Sequence, residues 1–144
     1  MEDGLFKYLE YEKKLLKELL LLTKDQQKAL VQFDLKELEN ITAKQDESQY
    51  RLRKAEEYRI RFITEWLKID RVKASSMKLS DVAELLNDSN KSSINKYKHE
   101  LQSLTSELNS INTTNRILAN RAKHSVNELL NIFTEGNTVC NVKV

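Results

Sequence analysis

Between Tyr97 and Ile132 apolar residues return in alternating steps of four and three: Tyr97, Leu101, Leu104, Leu108, Ile111, Asn115, Leu118, Ala122, Ser125, Leu129 and Ile132. Only Asn115 and Ser125 interrupt the stripe, and the residues between its members are mostly polar. This is the a/d pattern of a long helix that buries one narrow seam against other helices. Two earlier stretches carry related signals. Leu5, Leu9, Leu16, Leu19, Leu20, Leu22 and Leu30, interleaved with Glu, Lys and Gln, predict an amphipathic helix over 3–32, about 40 Å long at roughly 1.5 Å per residue. A seam at Leu38, Ile41, Gln45, Ser48, Leu52, Ala55, Arg59, Phe62, Trp66 and Ile69 predicts a second helix over 35–72. The third helix is predicted over 81–134, with a break near 87–93, where Asn87-Asp88-Ser89-Asn90-Lys91-Ser92-Ser93 loses the period. Gly136 should end it and leave 135–144 as a tail.

The junctions point to an antiparallel start. In Gln32-Phe33-Asp34-Leu35-Lys36-Glu37-Leu38, Asp34 can cap the second helix, Glu37 can reach back in a capping box, and Phe33 can pack on Leu38 as a staple. Helices joined by so short a turn fold back as a hairpin. Lys73 to Ser80 is the second connection, with Ser80 as the expected N-cap of the third helix. The expected fold is all-α and a single domain over 1–144: an elongated antiparallel helical hairpin with a long third C-terminal helix packed along it, a coiled-coil-like three-helix bundle.

Composition supports this picture. The 144 residues hold no proline and two glycines, Gly4 and Gly136, so little between them forces a helix to stop. Charged residues make up 32% and aromatics 7%, which suits amphipathic helices better than a thick core. Intrinsic helicity is weaker from residue 81 onward, where asparagine, serine and threonine are frequent, so that segment should be ordered by what it packs on. The net charge of +2 is too balanced to imply nucleic acid or an anionic membrane. No run is apolar enough for membrane insertion, the start lacks the order of a signal peptide, and Cys140 stands alone, so a cytoplasmic protein is expected.

Catalytic chemistry finds little footing. His99 and His124 belong to no ligand pattern, Cys140 has no CxxC partner, and there is no Gly-rich phosphate loop or nucleophile elbow. No enzyme, metal or cofactor is expected. Arg51, Arg53, Lys54, Arg59, Arg61, Arg71 and Lys73 scatter around their helix among Glu56, Glu57 and Glu65, as on a solvated face rather than a phosphate track. Tyr58, Phe62 and Trp66 fit a helix-crossing core better than a recognition cluster. Gln45, Ser48 and Asn115 leave two readings open: satisfied polar groups in a bundle or homodimer, or one wall of a groove for an amphipathic helix of another chain.

At Leu108-x-x-Ile111-Asn112-x-x-Asn115-Arg116-x-Leu118, followed by Leu129, Leu130, Phe133 and Gly136, the chain resembles the FlgN-type flagellar export chaperones. Ala29-Leu30-x-x-Phe33-Asp34-Leu35-x-x-Leu38 adds to the likeness. The resemblance implies a cytoplasmic type III export chaperone that holds the C-terminal segments of hook-associated junction proteins and docks on the flagellar export gate. Client contact would fall on Leu104, Leu108, Ile111, Asn115, Leu118, Ala122, Leu129 and Ile132. Phe133 stands where the family often has tyrosine and is the implied export-gate position. The alternative is a structural coiled-coil protein that uses the seam for self-association and has no client.

Overall fold

The computed structural model describes residues 3–134 with their side chains; the tail expected over 135–144, Gly136 and Cys140 included, lies outside them. Five helices follow one another: α1 (Glu2–Gln32), α2 (Leu35–Leu67), α3 (Arg71–Ser76), α4 (Leu79–Ala83) and α5 (Asp88–Lys143). The fold is all-α. α1 lies between α2 and α5, whose backbones do not approach each other among the described residues, so the three long helices form an open layer there with α1 as its spine.

α1 and α2 pair antiparallel through a very tight turn. Phe33 adopts a left-handed conformation (φ 57°), and its N–H donates to the Leu30 carbonyl while the Asp34 N–H donates to Ala29. That is a Schellman closure built on a residue other than glycine. Asp34 then serves α2 as well, its carboxylate accepting from the Glu37 N–H at 3.1 Å. The capping box expected with Glu37 is not formed, because the Asp34 N–H is already taken by Ala29. Lower in the hairpin, Gly4 gives α1 a close approach to α2: a Cβ there would sit 2.7 Å from the Phe62 ring.

α2 ends five residues earlier than the seam predicted. Lys68 turns left-handed (φ 54°), and Asp70 caps α3 by accepting from the Lys73 N–H at 2.7 Å. An aspartate with a free N–H three residues ahead competes well against helix continuation. The expected third helix is likewise divided. Lys78 rather than Ser80 precedes α4, since Asp81 reaches back to the Lys78 N–H at 2.9 Å, and Asn87 caps α5 through the Asn90 N–H. The break therefore falls at 84–87, at the front of the soft stretch.

These short helices close the thick end of the molecule. Leu5, Leu9, Ile63, Ala74, Val82, Ala83 and Ile94 are buried there, with Phe6, Phe62, Trp66 and Tyr97 packed around them. Phe62 and Trp66 thus belong to the helix-crossing core, while Tyr58 is exposed. From this end α5 runs parallel to α1. Tyr97 stacks on Phe6, Lys13 pairs with Glu100 at 2.8 Å, Lys24 pairs with Glu107 at 3.0 Å, and Leu108 joins Leu19 and Leu20 in a second cluster.

Candidate functional site

The expected seam on α5 divides into a buried part and a free part. Leu104, Leu108 and Ile111 pack with Leu16, Leu19 and Leu20 of α1, so this portion is occupied within the chain. Asn115, 4% exposed, is the last buried α5 residue among those described. Its Nδ2 donates to the Thr23 carbonyl at 2.9 Å and to Gln26 Oε1 at 3.0 Å, while Gln26 Oε1 also accepts from Gln45 Nε2 at 3.2 Å. One polar knot therefore joins α1, α2 and α5, and only Asn115 Oδ1 in it is buried without a partner. Gln45 and Asn115 are thus bonded within the bundle, Asn115 through its Nδ2 alone.

Further down α2, Arg59 resolves in the same way. Its guanidinium donates to both carboxylate oxygens of Glu12, at 2.9 and 3.1 Å. Glu12 is only 6% exposed, and burial pushes its carboxyl above the ordinary value despite the opposing pull of Arg59. Desolvation outweighs the ion pair here.

Past Asn115 the molecule opens. Leu118 and Ala122 are half-buried, and Leu129, Ile132 and Phe133 are 56, 64 and 67% exposed. Where α5 passes the α1–α2 turn, a groove of about 610 Å³ lies between them, lined by Leu30, Phe33, Leu35 and Leu38 on the hairpin and by Ala119, Ala122 and Val126 on α5, with Lys123 and Asn127 at its edge. Phe33 and Leu38, the expected staple pair, both face this groove. Beyond it α5 continues without the hairpin beside it.

Helix geometry shows which free side chains extend the groove. At about 100° per residue, Ala122, Val126, Leu129 and Phe133 continue the line of Leu108, Ile111 and Asn115, with Ala119 and Leu130 at its margins. Ser125 and Ile132 fall to the side. The seven-residue stepping drifts off a straight helix by about 20° per heptad, which is why it selected Ser125 and Ile132 and passed over Val126, Leu130 and Ala119. The groove-lining hairpin residues carried a different signal, the apolar character of the turn itself.

An open apolar groove thus lies between the helical hairpin and the long third helix, just past the polar knot at Asn115. The match of a family model, described as FlgN protein, covers residues 1–142. The chain belongs to the FlgN family. No curated protein and no solved structure matches it. FlgN proteins are a family of flagellar export chaperones. Among the described residues no His, Cys, Asp and Glu cluster could hold a metal ion, and no helix is long and apolar enough to cross a membrane.

Proposed function

We propose that this FlgN-family chain acts in the cytoplasm as an ATP-independent chaperone for hook-associated junction proteins, holding an amphipathic C-terminal segment of the client on α5 beside the hairpin turn. The observation that carries the reading is the apolar face from Ala119 to Phe133. It begins inside the groove, stays collinear with the buried seam, and ends with large side chains in solvent. A client helix laid along it buries apolar surface worth about 25 cal/mol per Å², offset by the entropy of ordering a disordered segment. The affinity is accordingly moderate and release is easy. Held this way, the client stays monomeric and export-competent.

On this reading Leu118, Ala122 and Leu129 contact the client directly, together with Val126 and Leu130. Leu104, Leu108, Ile111 and Asn115 act from within the bundle, where they fix the position of α5, and Ile132 flanks the contact. Phe133, exposed at the far end, is the candidate for docking on the export gate. Calorimetric titration with the C-terminal segment of a junction protein from the same organism tests the reading. Saturable one-to-one binding that Val126→Asp abolishes and Leu108→Ala reduces only through lost stability is the expected result. Equal binding by Val126→Asp would remove the site from this face.

A further inference from the structure

The free stripe is uneven along its length. At the groove it carries the small side chains Ala119 and Ala122, and towards its far end it carries Leu129, Leu130 and Phe133, all more than half exposed. A helix face with a hollow at one end and bulk at the other is complementary to itself under a two-fold axis. We propose that, when no client is bound, a second copy of the chain covers this stripe: the two α5 helices cross antiparallel near Val126, and Phe133 of each copy enters the groove of the other.

The shape of the stripe favours a second copy as the occupant. The hollow is roofed by Phe33 and Leu38 and floored by alanines, so it accepts one large side chain from a helix approaching along α5. A parallel pairing would leave both grooves empty, whereas an antiparallel one centred on Val126 sets Phe133 of each copy opposite Ala119 of the other, and Leu130 opposite Ala122. Finally, the contact is only about four helical turns long. That falls short of the roughly 800 Å² per partner usual in stable complexes, so the expected dimer is weak and exchangeable.

The regulatory consequence rests on the client reading above: client and second copy need the same stripe, so each excludes the other. The unliganded chaperone then shields its own apolar face until a client displaces the partner.

Cross-linking of the full chain in a Cys140→Ser background tests the arrangement, with sedimentation velocity over a wide concentration range. Val126→Cys should form an intermolecular disulfide, as should a mixture of Ala122→Cys and Leu130→Cys chains, whereas Asn120→Cys on the opposite face should not. Phe133→Asp should weaken the dimer at least tenfold without altering the helical content. A chain monomeric at every concentration with no disulfide at position 126, or one in which Ala122→Cys couples to itself rather than to Leu130→Cys, overturns the proposal. Adding the junction-protein segment separates the two claims. Loss of the Val126→Cys cross-link on saturation supports exclusion; a cross-link that persists beside bound client overturns it. A dimer that forms but binds no client leaves the antiparallel contact standing and removes the client reading instead.

Discussion

Asn115 Nδ2 lies 2.9 Å from the main-chain oxygen of Thr23, and this bond stands at the point where α5 stops being buried. Apolar contacts hold α5 on one side of it; on the other the same face is open. The knot fixes the register of α5 against α1, because sliding the helix by one residue would carry the carboxamide away from both Thr23 and Gln26.

Substitutions at Asn115 should separate its polar and steric roles. Asn115→Asp places a carboxylate against two acceptors, the Thr23 carbonyl and Gln26 Oε1, and should cost at least about 3 kcal/mol at neutral pH. Asn115→Leu removes the unpartnered Oδ1 together with the two bonds Nδ2 donates to Thr23 and Gln26, and should cost only about 1 kcal/mol. Denaturant unfolding of the two variants checks this order.

The Glu12–Arg59 pair is predicted to be expensive to break and cheap to replace. Arg59→Ala leaves a buried carboxylate alone and should cost about 3 kcal/mol at pH 7. With its counter-charge gone, the Glu12 carboxyl rises further, so that variant should regain stability as the pH falls from neutrality. Glu12→Leu with Arg59→Met should return the midpoint to near the parent value or above. Urea titrations at two pH values decide the matter.

Acid and alkali should both loosen α5. The hydrogen bond from Lys13 is the main reason that the Glu100 carboxyl sits below its ordinary value, and the same bond raises Lys13. A lowered carboxyl stabilises above its unfolded-state value, about 4.3, and that contribution is lost as pH falls through the folded one. A raised lysine contributes fully below about 10.4 and loses its contribution as pH rises through its folded value. Glu12 has the opposite sign to Glu100: its raised carboxyl favours the fold below its ordinary value and loses that advantage as the pH rises. Glu100→Gln should therefore flatten the fall in stability at acid pH, measured as the urea midpoint between about pH 3 and 5.

Phe33→Gly should divide stability from binding. A left-handed residue other than glycine carries a strain of about 1 kcal/mol, and Phe33 is half exposed, so little packing is lost in exchange. Thermal stability should rise by up to about 1 kcal/mol. Client binding should weaken, since Phe33 forms one wall of the groove. A variant that is more stable and binds as tightly as the parent would show that the ring is idle in recognition.

Much of the architecture was legible in the chain because it rests on local signals. Asp34 announced the hairpin and the leucines of α1 announced the spine, whereas the stretch from 88 to 93, where a break was expected, forms the first turns of α5. What escaped detection was decided by competition or by three-dimensional placement. Asp70 cut α2 short although Ile69 continued its seam, and Asp81 moved a helix start by two residues. Arg59 looked out of place on a buried stripe until Glu12, 47 residues away, supplied its partner. The groove could not be read from α5 alone, since four of its nine lining residues come from the hairpin.

The parallel course of α5 along α1 has a kinetic meaning. Asn115 and Thr23 are separated by 92 positions, whereas α1 and α2 meet through a two-residue turn. Short-range closure is fast and long-range closure slow, so the hairpin should form first and α5 should settle last, advancing from its root near Ile94 towards Asn115. On a ribosome the order is the same: the spine and its first neighbour emerge while the strip of α1 awaiting Leu108 is still bare. The segment that finishes folding last is thus the one whose outer end is left over for another molecule.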